Sequence, residues 1–139
     1  MIILDTNIAS VLLTLDHPDL PLIQRWWEAS ADHDFRVSVI TQAEIAFGLA
    51  IMPDGAKKRR LSDAADQFFA AVPESIIPFG SREAVAYGAI MAAQRAQGRP
   101  MSVLDAQIAA TARVANATLA TRNTRHFADC GISLVNPYG

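Results

Sequence analysis

The feature that most constrains this chain is its opening, Met1-Ile2-Ile3-Leu4-Asp5, a continuous apolar run closed by a carboxylate. A strand with one wet face alternates apolar and polar side chains. This one does not alternate, so both of its faces must be covered, as in the interior of a parallel sheet. Similar short runs recur at Arg36 to Ile40, Ser75 to Phe79, Thr118 to Thr121 and Ser133 to Val135. Between them lie segments with helical periodicity. Helices are predicted from Ile8 to Leu15, from a cap at Asp19 to about Ala31, from Thr41 to Met52, and from Lys57 to Val72. Two more are predicted from Ser81 to Gln97 and from Ser102 to Ala115. Asp16-His17-Pro18, Pro53-Asp54-Gly55 and Gly98-Arg99-Pro100 supply the breaks. Strands alternating with helices predict an α/β fold, a central parallel sheet covered on both faces.

The 139 residues suit a single domain spanning 1–139, and no repeat or linker interrupts them. The composition is 51% hydrophobic, much of it alanine. Trp26 and Trp27 are expected to pack. The single cysteine, Cys130, excludes an internal disulfide or a cysteine-rich metal site. No apolar run reaches the ~18 residues that a membrane span needs, and the N-terminus has no signal-peptide pattern. A soluble, cytoplasmic protein without membrane contact is the expectation. The net charge of −2 argues against a broad grip on duplex DNA, which needs a basic surface. It leaves room for a small metal site that acts on a nucleic acid.

In open α/β sheets, sites form beyond the carboxyl ends of the strands. Asp5 ends the first strand there. Glu44 follows the second, and Asp105 begins the helix before the fourth, which ends at Thr121, Arg122 and Asn123. Clustered carboxylates repel one another, and a divalent cation relieves that repulsion. Mg²⁺ takes hard oxygen ligands, keeps several waters and is bound by one or two carboxylates plus substrate phosphate. Such an ion activates water and stabilises charge on a phosphoryl group. Each residue also has a plainer reading. Thr41-Gln42-Ala43-Glu44 matches a capping box, and Ser102-Val103-Leu104-Asp105 its Ser-x-x-acid relative. Asp105 shares a helix face with Ile108, Ala109 and Ala112, which implies partial burial beyond what a cap requires. Asp5 reads as a cap on the helix near Ile8, or as a buried charge in need of a partner. Asn7 and Asn123 read as turn residues or oxygen donors, with the turn the simpler reading for Asn7. His17 and His33 fall in loops, and His17, His33 and His126 show no metal-ligand spacing. Lys57-Lys58-Arg59-Arg60 reads as a solvated helix face. Arg95, Arg99, Arg122 and Arg125 lie where they can border the carboxylates and steer phosphate.

These segments together resemble the PIN-domain nucleases. Ile2-Ile3-Leu4-Asp5-Thr6-Asn7 resembles the opening strand motif, and Ser38 to Gly48 the segment with the second acidic residue. Gly98 to Ala110 resembles the segment with the third, Ala120 to Phe127 the last motif, and Val135-Asn136-Pro137-Tyr138 the ending. The ordered set covers essentially the whole chain and is similar to the VapC branch of toxins, including its FitB-like subgroup. The resemblance implies a three-layer fold with a five-stranded parallel sheet. It implies Mg²⁺, or Mn²⁺ as a substitute, held by Asp5 and Asp105. Glu44 completes the acidic cluster, and Thr6 and Thr121 support it. Asn123 falls where many relatives carry a fourth acidic residue, and His126 where they often carry Asp. Both departures bear on a second metal ion more than on the first.

The resemblance further implies a homodimer and a cognate antitoxin, which often inserts a basic side chain into the acidic pocket. DNA would be bound only indirectly, through that antitoxin. The expected activity is hydrolysis of RNA phosphodiesters by Asp5, Glu44, Asp105 and Asn123, leaving 5′-phosphate and 3′-hydroxyl ends. Arg95, Arg99 and Arg122 would contact the substrate. The alternative is a catalytically weak PIN-like binding module, motivated by the neutral Asn123. A haloacid-dehalogenase-type phosphatase also carries an Asp after its first strand, but it uses a second Asp where this chain has Asn7.

Overall fold

The computed structural model describes every residue except Val72, so the expected end of the fourth helix lies outside the described residues. Five strands form one sheet: β1 (Ile2–Leu4), β2 (Phe35–Ser38), β3 (Ile76–Ile77), β4 (Thr118–Ala120) and β5 (Ser133–Val135). Their order is β3-β2-β1-β4-β5, and all neighbours run parallel. The helices are α1 (Thr6–Leu13), α2 (Leu20–Ala29), α3 (Val39–Ile51), α4 (Ala56–Ala71), α5 (Ser81–Ala96) and α6 (Val103–Ala115). Short 3₁₀ turns occupy Pro73–Ser75 and Thr124–Phe127.

The unbroken apolar run of β1 is explained by its central place. Ile3 packs with Ile90, Ile108, Leu119 and Phe127 on one face, against α5 and α6. Ile2 and Leu4 pack with Ile8, Ile23 and Val37 on the other, against α1 and α2. Each such side chain contributes about 1.5–3 kcal/mol on full burial. The alanine excess is used the same way: Ala106, Ala109, Ala110 and Ala112 are buried and let α6 lie close to its neighbours. Trp27 stacks on Phe35 with ring centroids 4.0 Å apart, and Trp26 meets the same ring edge-on. No described helix is long and apolar enough to cross a membrane.

The chain lays β2 and β3 on one side of β1, then β4 and β5 on the other. The carboxyl ends of β1 and β4 therefore flank a topological switch point, the place where such sheets bind ligands.

Several boundaries differ from the sequence expectation, each for a local reason. α1 starts at Thr6, two residues before Ile8, because the Asp5 carboxylate already accepts the Thr6 N–H at 2.8 Å. β2 stops at Ser38, whose hydroxyl accepts the Thr41 N–H at 3.1 Å, and Val39 and Ile40 enter the first turn of α3. β3 keeps only Ile76 and Ile77 of the expected Ser75 to Phe79. It is an edge strand, and Pro78 has no N–H to extend the ladder. Asp19 stands at the start of α2 without capping it, and its carboxylate instead accepts the Tyr138 hydroxyl at 3.0 Å. The end of α5 follows expectation. Gly98 has φ +68°, its N–H donates to Arg95, and that of Arg99 donates to Gln94, which closes the helix.

Candidate metal centre

Asp5 sits where β1 becomes α1. Its N–H still donates to the Ala120 carbonyl at 2.9 Å, so the sheet fixes its backbone. The residue is only 5% exposed. Oδ1 accepts the Thr6 N–H, and Oδ2 accepts the Thr121 hydroxyl at 2.7 Å. The Thr121 oxygen in turn accepts the Asn123 N–H at 3.0 Å, tying the end of β4 to the same carboxylate. Burial pushes the Asp5 carboxyl above the usual carboxylate range. The hydrogen bonds from Thr121 and Thr6 pull it back, and the charges of Asp105 and Glu44 push it up again.

Glu44 reaches the same region through a chain of hydroxyls. Thr6 Oγ1 donates to Glu44 Oε1 at 2.7 Å and lies 3.0 Å from Thr41 Oγ1. The Ser38 hydroxyl donates to Thr41 Oγ1 at 3.4 Å. With the Thr41 proton directed at Thr6, all three hydroxyls point toward the carboxylate. The capping-box reading of Thr41 and Glu44 is thereby overturned. Ser38 is the cap, the helix begins earlier, and Glu44 falls beyond the turn whose N–H groups need satisfying.

At Asp105 the cap reading holds for the backbone alone: its N–H donates to Ser102 Oγ at 3.1 Å. The carboxylate is half-buried and faces His126, with Nδ1 3.7 Å from Oδ2. Asn7 is no turn residue. It lies in the first turn of α1 with its Oδ1 buried and unpartnered among the described residues. Asn123 is exposed at the entry to the second 3₁₀ turn and makes no side-chain cap bond there.

The donor set suits a divalent cation. Asp5, Glu44 and Asp105 offer hard oxygens, and among the described residues the charges acting on buried Asp5 are the like charges of Asp105 and Glu44. Among the described residues no three acidic, histidine or cysteine side chains converge tightly enough to enclose an ion unaided. An open arrangement of this kind fits an ion that keeps several waters.

A family model described as PIN domain matches residues 2–131. The chain belongs to the PIN-domain family. This PIN domain is 32% identical over 139 residues to VapC ribonuclease Y4jK of Sinorhizobium fredii, covering 99% of this chain and 98% of that protein. It is equally 32% identical to Toxin FitB of Neisseria gonorrhoeae, with 99% of each covered. Among solved structures it is similar to FitAcB from Neisseria gonorrhoeae, with TM-score 0.89, 32% identity and 99% of each chain covered. It is also similar to VapBC2 from Rickettsia felis bound to a promoter DNA fragment, with TM-score 0.81, 28% identity and 98% of each chain covered. Within the family it stands with the VapC and FitB toxins.

The arginines of this PIN domain are partly committed. Arg99 pairs with Asp129 at 2.6 Å. Arg122 lies over the Tyr138 ring, 4.4 Å from its centroid, and 3.7 Å from Asp19. Arg95 occupies the last turn of α5. The sequence reading missed three contributors: Thr41, Ser38 and the contact of His126 with Asp105. Val39 and Ile40 read as the end of a strand, and it is the Ser38 cap, starting α3 earlier, that brings the hydroxyls to Glu44. Nothing in the spacing of Asp105 and His126 announces that they meet.

Proposed function

We propose that this PIN domain is the toxin of a toxin–antitoxin pair, a metal-dependent endoribonuclease that hydrolyses RNA phosphodiester bonds. The observation that carries the reading is the buried Asp5 carboxylate at the switch point, crowded by the charges of Glu44 and Asp105. Asp5 and Asp105 are the residues to hold Mg²⁺ or Mn²⁺, directly or through water. When bound, the ion supplies Lewis-acid stabilisation of the phosphoryl group and a more acidic water.

The side chains do the rest. Thr121 orients the inner carboxylate, and Thr6 fixes Glu44 by a short hydrogen bond. Glu44, with Asn123, orients the attacking water. Arg95, and the donors of Arg99 and Arg122 left over from their own ion pairs, steer the RNA phosphates. Products with 5′-phosphate and 3′-hydroxyl ends follow.

An antitoxin is the expected partner, since the similar solved structures include VapBC and FitAB assemblies. The acidic pocket suits an inserted basic side chain, which would substitute for the metal ion. DNA contact falls to the antitoxin, in keeping with the net charge of −2. A homodimer is expected as well. Phe47 and Ile51, one turn apart on α3, are 65% and 67% exposed and offer an apolar face. The second reading, a catalytically weak binding module, rests on the neutral Asn123. It requires no metal at the acidic pocket.

The toxin reading is tested by induced expression in a bacterial host. The wild-type chain should arrest growth, and Asp5→Asn at equal abundance should not. Equal growth of both would contradict it.

A further inference from the structure

We propose that His126 supplies a nitrogen ligand to the divalent cation held at Asp105, tilting this site from Mg²⁺ toward first-row transition ions. The inference rests on the metal-centre reading above.

Both partners are mounted on fixed backbone. His126 belongs to the 3₁₀ turn Thr124–Phe127, whose Phe127 is buried in the core with Ile90, Ile108 and Leu119. Its own N–H donates to the Asn123 carbonyl at 3.0 Å. Asp105 is held in the first turn of α6 by Ser102. These backbone positions bring the two side chains together, with Nδ1 3.7 Å from Oδ2. That spacing is too long for a hydrogen bond. Two ligands at about 2.1 Å from one ion stand roughly 3.0–3.6 Å apart for angles of about 90–120°, so a small closure completes the pair.

The chemistry agrees. A neutral imidazole protonated at Nε2 offers Nδ1 as its ligand atom, and Nδ1 is the ring nitrogen that lies 3.7 Å from Asp105 Oδ2. The His126 side chain is 62% exposed and that of Asp105 30%, so an ion can enter with water still attached. Imidazole is a softer donor than carboxylate. It adds little for Mg²⁺ and more for transition ions. The other two histidines are occupied elsewhere: His17 Nδ1 accepts the Asp19 N–H at 3.0 Å, and His33 lines an apolar cavity with Trp27 and Phe35.

The test uses Mn²⁺ as the probe on the full chain, free of partner. Pulsed electron paramagnetic resonance reads whether nitrogen is coupled to the bound ion, and calorimetry reads affinity. Wild type should show imidazole nitrogen coupling, and His126→Ala and His126→Asp should lose it. Mn²⁺ affinity should fall about 10-fold in His126→Ala while Mg²⁺ affinity changes less than about 2-fold. His126→Asp should lower the Mn²⁺-to-Mg²⁺ preference. Mn²⁺ binding that is lost in Asp5→Asn but shows no nitrogen coupling in wild type would overturn this inference alone. So would coupling that survives His126→Ala. Absence of any Mn²⁺ binding to folded wild type would overturn the metal-centre reading and this inference with it.

Discussion

Thr121→Val tests how the inner carboxylate is held. The substitution keeps the branched shape at a fully buried position and removes only the hydroxyl. Two interactions go with it, the 2.7 Å bond to Asp5 Oδ2 and the 3.0 Å bond from the Asn123 N–H. A hydrogen bond to a charged group contributes about 1.5–3 kcal/mol, and a buried carboxylate oxygen left unpaired adds to the loss. The Asn123 N–H borders an exposed loop, where water can replace part of its bond. The expected destabilisation is about 2–4 kcal/mol without metal. In a domain of this size it lowers the melting temperature by about 6–15 °C. The control is Thr111→Val, also buried, whose hydroxyl donates to the Gln107 carbonyl of its own helix at 2.9 Å. A local bond of that kind contributes about 1 kcal/mol or less. Calorimetric melts and urea titrations of both variants decide the matter. Equal losses would refute the claim that the Thr121 hydroxyl holds a buried charge.

The raised Asp5 carboxyl sets a pH dependence. Folding disfavours its ionised form, so the metal-free protein should gain stability as pH falls through the raised Asp5 pKa toward the ordinary carboxylate range. Asp5→Asn should flatten that slope, and a wild-type melting temperature that falls steadily over the same range would contradict it. Ser38→Ala removes the α3 cap and the start of the hydroxyl chain to Glu44. It should cost about 1–2 kcal/mol in urea denaturation, and a loss below about 0.3 kcal/mol would count against it. Phe47→Asp places a charge on the apolar face of α3 and should convert a dimer to a monomer in light scattering, with folding intact; an unchanged dimer would place the interface elsewhere.

Much of the fold was legible because β1 carries it. An apolar run buried on both faces implies a central parallel strand, and the carboxylate at its end implies a place at the sheet's carboxyl edge. Asp5 was singled out on that basis, and Asp105 by its place in the first turn of the helix before the fourth strand. Glu44 was ambiguous, since Thr41-Gln42-Ala43-Glu44 matches a capping box as well as the second acidic position of the site. β-branched Val39 and Ile40 favour a strand locally, and the buried Ser38 cap overrides them. Thr41 and His126 were not assigned to the site because their partners, Thr6 and Asp105, lie 35 and 21 positions away with no periodic link. The Tyr138 contact with Asp19, 119 positions apart, was hidden for the same reason and displaced an expected cap.

The most direct measurement is cleavage of a mixed cellular RNA pool by the purified, partner-free chain with Mg²⁺, Mn²⁺ or EDTA, alongside Asp5→Ala and Asp105→Ala. Discrete metal-dependent fragments with 5′-phosphate ends, absent in both variants and in EDTA, are predicted. Intact RNA after incubation with folded, metal-loaded wild type, or cleavage that persists in both variants, would contradict the assignment of Asp5 and Asp105 to a ribonuclease centre.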